Sequence, residues 1–200
     1  MVLMTEIINI TSLEKNKEAL IRSKAKVIFF QEHKVRKMEV GRIKKEMKDR
    51  GWMIHFGPAN EEGKTAEAGV GVMWKGNEVQ IFPERIKDEE LQKTREQGRA
   101  GKKNMDVGCD ISYAIYPIYG KSGGSKEAVA ATEAILQATK REIKGDKFGP
   151  VMVVGDFNKE PSTLHTVREL KKEENWVDVG EVADWWGETS GTNVPQREQS

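Results

Sequence analysis

Two short apolar runs end in residues able to handle a metal ion and a phosphate. Val27-Ile28-Phe29-Phe30 leads into Gln31-Glu32-His33, and Val151-Met152-Val153-Val154 leads into Gly155-Asp156-Phe157-Asn158. Carboxylates at the carboxyl ends of buried strands occupy the place where open α/β sheets bind ligands. A hard cation such as Mg²⁺ takes oxygen ligands and usually only one or two protein carboxylates, its shell being completed by water and substrate phosphate. Glu32 and Asp156 are candidates for such a centre, joined by Asn158 and by Asn9 at the tip of the first strand. Each has a plainer reading. A strand-terminal Glu often caps a helix or pairs with a lysine, and Asp156, Asn158 and Asn9 could simply shape turns. Tyr119, at the end of another apolar run, could be a core aromatic with a satisfied hydroxyl. The histidines offer less: His33 adjoins Glu32 but reads as a surface neighbour, and His55 and His165 as packing or solvent residues. Cys109, the only cysteine, excludes an internal disulfide and a cysteine-based zinc site, and reads as a buried small hydrophobe.

The elements that must position these residues belong to a chain of 200 residues, 37% hydrophobic and 32% charged. Such a chain can bury a sizeable core, and one domain over residues 1–200 is the expectation. The composition excludes a disordered polyelectrolyte, and the sequence contains neither the ~18-residue apolar run of a membrane span nor a secretory leader, which leaves a cytoplasmic or nuclear protein as the expectation. The formal charge of +1 conceals a basic first quarter and an acidic last quarter. The cations Lys34, Arg36, Lys37, Arg42, Lys44, Lys45, Lys48 and Arg50 lie largely on one expected helix, whose first reading is a solvated face and whose second is a phosphate-binding surface.

Glu6–Ile10 reads as a strand, Thr11-Ser12 as the cap of a helix bearing Leu13, Leu20 and Ile21, and Lys26–Phe30 as a strand buried on both faces. A helix over about 39–50 follows, closed by Gly51. Trp52–Phe56 and Gly69–Trp74 read as strands joined by a polar loop, and Val79–Phe82 as a third. Residues 84–104 are strongly polar and aperiodic apart from a possible short helix, and read as a mobile surface excursion. In the strand Ile111–Tyr119, Pro117 points to an edge or a strand end. After the glycine-rich loop 120–125, Lys126–Ile143 is the clearest helix, Pro150–Val154 a strand, and Ser162–Lys172 a helix capped by Ser162 or Thr163. Strands and helices alternate, but strands in tandem interrupt the alternation. A mixed-sheet α/β sandwich therefore fits better than a doubly wound parallel sheet.

In these residues the chain resembles the endonuclease/exonuclease/phosphatase superfamily, which includes DNase I-like enzymes, apurinic-site endonucleases and the endonuclease domains of LINE-type retrotransposons. The resemblance rests on Ile8-Asn9-Ile10-Thr11-Ser12-Leu13, Val27–Lys34, Gly69-Val70-Gly71-Val72-Met73, Ile118–Gly123 and Val153–Asn158, which follow the family's order. It implies a four-layer sandwich of mixed sheets with helices outside, and Mg²⁺-dependent (Mn²⁺ as the substitute) hydrolysis of a phosphodiester in DNA. Residue by residue, Glu32 matches the principal metal ligand and Asn9 the asparagine that organises the metal site. Asp156 matches the aspartate that places the attacking water, Asn158 the amide that contacts the scissile phosphate, and Tyr119 the tyrosine that hydrogen-bonds a phosphate oxygen. The cations Lys34, Arg36, Lys121 and Lys126 are then candidates for contact with the nucleic-acid backbone.

The pattern also departs from the family. The Asp of a Ser-Arg-Ile-Asp-like strand and the closing Ser-Asp-His do not follow Asn158; Asp178, Glu181, Asp184 and Glu188 stand in other contexts, and Thr11 replaces the Asp or Asn of many members. The expectation is a carboxy-terminally shortened domain with an incomplete second sheet, an exposed strand edge and a poorly ordered last fifty residues, impaired in activity. Its origin would be a retrotransposon whose full-length parent carries a reverse transcriptase. The competing readings are a phosphoinositide or sphingomyelin phosphatase of the same fold, for which no membrane-binding amphipathic helix is evident, and a catalytically dead nucleic-acid-binding relic.

Overall fold

The computed structural model describes residues 3–56, 59–61, 66–76, 79–108, 111–146, 149–173 and 176–181. Cys109, Asp184 and Glu188 lie outside the described residues, so the expectations attached to them do too. In chain order the elements are β1 (Thr5–Asn9), α1 (Leu13–Arg22), β2 (Val27–Gln31), α2 (Val40–Asp49), β3 (Trp52–Phe56), β4 (Val70–Lys75), β5 (Gln80–Pro83), α3 (Glu89–Glu96), β6 (Lys103–Asp106), β7 (Ser112–Tyr119), α4 (Lys126–Gly145), β8 (Val151–Asp156) and α5 (His165–Glu173). Two four-stranded sheets result, one in the order β1-β2-β4-β3 and the other β5-β6-β7-β8.

Alternation along β2 shows how the layers form. Ile28 and Phe30 point outward into a core with Leu13 and Leu20 of α1, Ile43 and Met47 of α2, and Trp52, Ile54 and Met73. Val27 and Phe29 point inward, where Val72 and Trp74 meet Ile81, Met105, Ile115 and Val154 of the second sheet. The far face of that sheet is covered by Leu91 of α3 and Ala138 of α4, against Ala114 and Tyr116. Each sheet is thus lined on one side by the other sheet and on the other by helices, the α/β sandwich expected from the interrupted alternation. β2 is buried along its whole length, as its unbroken apolar run requires.

Each sheet contains one parallel pair, β1 with β2 and β7 with β8. A parallel pair needs a crossover, and α1 and α4 supply the two. The first pair ends in register at Asn9 and Gln31, the second at Tyr119 and Asp156. β1 and β8 are the outer strands of their sheets, and among the described residues neither has a partner beyond it; Met4 and Ile7 are about half exposed on the β1 side.

Several sequence expectations are corrected. The stretch 84–104 is no surface excursion: it forms α3 and the start of β6, and Ile86, Leu91, Ala100, Lys102 and Lys103 are buried. Its polarity is internal. Lys102 bonds Glu142 at 2.8 Å and also pairs with Asp146, both carboxylates coming from the end of α4. Glu142 accepts the backbone N–H groups of Lys87 and Asp88 as well, at 2.8 and 2.6 Å, and Asp146 accepts the Tyr116 hydroxyl at 3.0 Å. Burial alone would push the Asp146 carboxyl up, but the bonds from Lys102, Lys87 and Tyr116 hold it below the usual carboxylate range.

Pro117 lies in an interior strand, not at an edge, since β7 pairs with β6 on one side and β8 on the other. The missing N–H faces Gly101, beyond the end of β6. There Gly101 N–H still donates to Pro117 O at 3.0 Å, and the pairing resumes where Tyr119 N–H reaches Arg99 O at 2.8 Å. The expected caps also differ. Ser12 stands at the start of α1 without a side-chain cap bond. At the start of α5 the capping oxygens belong to Glu133 of α4, which accepts the His165 and Thr166 N–H groups, the latter at 3.1 Å. Two cations of the basic segment are matched from α1: Arg42 of α2 pairs with Glu14 at 3.1 Å and Arg50, just after α2, with Glu18 at 2.7 Å, while Lys44, Lys45 and Lys48 are exposed as a solvated face would have them.

Between the sheets, the buried Lys103 of β6 sits 2.9 Å from His55 Nδ1 of β3. Burial, with Lys103, Lys44 and Arg95 nearby, pushes the His55 imidazole down to about 3. Burial, with Arg95 and Lys44, pushes the Lys103 ammonium down to about 7. Both folded values lie below the unfolded ones, so the unfolded chain binds more protons between them. Lys103 therefore costs stability in full below pH ~7 and nothing above ~10.5. Lys103→Met should raise stability to urea by roughly 1–4 kcal/mol at pH 6.5, the gain shrinking towards pH 10. Lys102→Met leaves two buried carboxylates short of their cation and should cost about 3–5 kcal/mol in the same titration.

Candidate active site

Because the two parallel pairs end together and face each other, four strand termini converge at one end of the sandwich. Asn9 closes β1, Glu32 follows β2, and Tyr119 and Asp156 close β7 and β8. At this end two side-chain bonds cross from one sheet to the other. Asn9 Nδ2 donates to Asp156 Oδ2 at 3.0 Å, and the Tyr119 hydroxyl donates to Glu32 Oε1. Asn9, Glu32, Tyr119, Asp156 and Asn158 are therefore brought together as the strand-end reading required.

Local backbone geometry explains the residue types around them. Glu32 and Lys34 adopt left-handed φ of 57° and 52°, turning the chain sharply after β2. The turn is fixed from both sides, Lys34 N–H reaching Ala68 O at 3.2 Å and Leu13 N–H reaching His33 O at 3.1 Å. Gly155 has φ 145°, and a Cβ there would lie 1.9 Å from Ile118 O of the paired strand. At Gly120 a Cβ would lie 2.2 Å from Phe157 O. Only glycine admits both approaches, which let the Tyr119-Gly120 and Asp156–Asn158 segments lie against each other.

Asp156 is oriented through both oxygens: Oδ1 accepts Asn158 N–H at 2.7 Å and Oδ2 accepts Asn9. Asn158 Nδ2 donates to Gly120 O at 3.1 Å. Glu32 has the Lys34 ammonium 3.7 Å from its other oxygen. Burial, then the Glu32 carboxylate, holds the Tyr119 phenol above its ordinary value, so it is a neutral donor. Ser122 Oγ lies 3.2 Å from the same hydroxyl. Arg99 was not picked out by the sequence; its guanidinium lies 4.9 Å over the Tyr119 ring and donates to Gly120 O at 3.0 Å. No local motif marks it, because it comes from the segment misread as an excursion.

Of the four cations expected to meet a nucleic acid, Lys34 stands beside Glu32, and Lys121 is exposed on the loop that follows Tyr119. Lys126 is exposed at the first residue of α4. Arg36 is exposed before a short 3-10 turn over Lys37–Glu39. His33 is corrected: it is buried, not a surface neighbour. Its Nδ1 accepts Val35 N–H at 3.0 Å, and its ring packs 5.0 Å from that of Phe56. His55 holds Lys103, a packing role, and His165 is exposed.

The donor set agrees in type with a hydrated hard cation, since it offers carboxylate and amide oxygens and no soft ligand. Among the described residues no cluster of three His, Cys, Asp or Glu side chains could cage a metal. Beside Glu32, Gln31 is fully buried on the inter-sheet face, and its amide has no hydrogen-bond partner among the described residues. An orphaned amide costs about 1–3 kcal/mol, which a water or a hydrated ion at the base of the site would relieve.

No family model matches the sequence, and no curated protein matches it. Solved structures do match its fold. One is the 3′ phosphatase NExo from Neisseria bound to product DNA hairpin, with a TM-score of 0.53 and 16% identity over 80% of this chain and 59% of that one. The human Nocturnin catalytic domain with bound sulfate anion gives 0.51 and 17% identity over 80% of this chain and 60% of that one. The fold is DNase I-like. The AP endonuclease LMAP from Leishmania major gives 0.51 and 16% identity over 75% of this chain and 53% of that one. The chain thus spans 53–60% of the length of these DNase I-like structures. At such identities the likeness carries the fold alone.

Gly155→Ala should test the packing that aims Asp156. The methyl group would meet the β7 backbone, which cannot swing aside as a side chain can, so a loss of at least about 2 kcal/mol is expected in urea unfolding.

Proposed function

We propose that the chain is a divalent-cation-dependent phosphodiesterase acting on DNA. The observation that carries this reading is the pair of cross-sheet bonds, Asn9 to Asp156 and Tyr119 to Glu32, which gather five polar side chains at one end of the sandwich. Glu32 and Asn9 would hold Mg²⁺ or Mn²⁺, which when bound supplies neutralisation of the phosphate and the leaving oxygen. Asp156, fixed through both oxygens, retains acceptor capacity and would orient a water for attack. Asn158 would donate to a phosphate oxygen as charge develops on it, and the neutral Tyr119 hydroxyl would do the same once its single proton turns from Glu32, leaving that carboxylate to the cation. Arg99 acts as a positioning residue, holding the Tyr119 ring and the Gly120 carbonyl that Asn158 also binds. Lys34 and Lys121 stand where they would meet the flanking backbone. The DNA hairpin bound by NExo favours DNA over a lipid headgroup.

The sequence holds three histidines, and none of them lies among these five side chains. Among the described residues no helix is long and apolar enough to cross a membrane. A nuclear or cytoplasmic location, a single domain over residues 1–200 and descent from a retrotransposon whose parent carries a reverse transcriptase complete the proposal.

Nicking of supercoiled plasmid with Mg²⁺ tests the reading. Nicking is expected, abolished by EDTA and reduced at least a hundredfold by Glu32→Ala or by Asp156→Ala. Duplex binding should fall steeply with added salt. Absence of nicking with salt-sensitive binding retained would leave a binding module in place of the enzyme.

A further inference from the structure

The end of the first sheet opposite the strand termini holds a second site. A cavity of about 530 Å³ is lined by Lys26, Lys48, Arg50, Lys75, Trp52 and Met53, with Gly51 and Gly76 completing the wall. Its volume is that of a small-ligand cleft. Among the described residues four of its lining side chains are cationic and none is acidic. Lys26 and Glu32 lie at opposite ends of one extended strand, six residues and roughly 20 Å apart, so the cavity is separate from the candidate active site.

The fold anchors two of the four cations, Lys75 and Arg50. Lys75 Nζ lies 4.8 Å over the ring of Trp52 and donates to Ser23 O at 3.3 Å. Arg50 is steered by Glu18 of α1, 2.7 Å away. Lys48 is exposed in the last turn of α2, where the negative end of the helix dipole stabilises a cation. Met53, 41% exposed on β3, supplies an apolar wall. A single surface lysine would be unremarkable, but four cations gathered around one concavity concentrate a positive potential that draws an anion.

We propose that this cavity binds a small polyphosphate-bearing anion, of the nucleotide or oligophosphate class. Several phosphates in one compact ligand meet the cations, and the Met53 wall accepts an organic moiety. The close grouping of the cations around one concavity favours such a ligand over a duplex, whose phosphates track a long surface.

Calorimetric titration of the full chain with tripolyphosphate and with ATP, in EDTA, reads this site without a metal at the other end. Saturable one-to-one binding is expected, weakened at least tenfold by Lys48→Glu and likewise by Arg50→Gln. Both side chains are exposed, and circular dichroism confirms folding. Lys34→Gln, at the candidate active site, should leave the affinity unchanged. Tighter binding of ATP than of tripolyphosphate would support the organic contact. No saturable heat, or binding lost in Lys34→Gln and kept in Lys48→Glu, overturns the proposal. A DNA duplex that displaces tripolyphosphate and loses affinity in Lys48→Glu would assign the cavity to nucleic acid instead and overturn it too.

Discussion

The architecture depends on one constraint, that each sheet contains a single parallel pair and that the two pairs lie back to back. Parallel strands run in the same direction and so end on the same side. β1 with β2, and β7 with β8, each deliver two carboxyl ends to one edge of a sheet. Stacking the sheets brings the four ends into reach, and the bonds from Asn9 to Asp156 and from Tyr119 to Glu32 tie them together. Everything polar at that end follows from this: the helical crossovers lie outside, the apolar alternation of β2 fills the space between, and only the residues at the last paired positions or just past them are free to carry chemistry.

Much of this was legible in the sequence because the parallel strands announce themselves. Val27–Phe30 is too short for a helix and too uniformly apolar for a half-exposed strand, so burial on both faces and a polar terminus could be read directly; Val151–Val154 reads as a strand on the same grounds, but it is the outer strand β8 and only Val154 of it is buried. The Gly155-Asp156-Phe157-Asn158 segment carried further information, since the φ of 145° at Gly155 and its approach to Ile118 O leave no room for another residue.

Where the reading failed, a polar residue was doing interior work. The stretch 84–104 looked solvated because its lysines were counted as surface charge, whereas Lys102 is sealed against Glu142 and Asp146 of α4. Those partners lie some forty positions away, and no local periodicity reports a pairing of that separation. Pro117 misled for a related reason. Its missing donor faces Gly101, where β6 has already ended, so an interior strand tolerates it. His33 looked like a surface residue because it follows Glu32, yet the left-handed turn at Glu32 and Lys34 directs its ring inward towards Phe30 and Phe56. Arg99 belongs to the same class: its value at the site comes from the pairing of Tyr119 with the segment ahead of β6, which only the assembled sheet displays.

The charge balance at the strand ends argues for the way the proposed chemistry would depend on its surroundings. Two carboxylates, Glu32 and Asp156, stand near two cations, Lys34 and Arg99, and the remaining groups, Asn9, Tyr119, Ser122 and Asn158, are neutral donors and acceptors. A phosphodiester entering alone adds one negative charge to a site that is otherwise close to balanced, and two neutral hydrogen-bond donors recover only part of that cost in a partly buried setting. A cation entering alone adds positive charge opposite Lys34, whose ammonium lies 3.7 Å from a Glu32 oxygen. Arriving together, the two offset each other. Occupancy by either ligand should therefore favour the other, and this coupling is a property of the charge count of the whole strand-end cluster rather than of any single side chain.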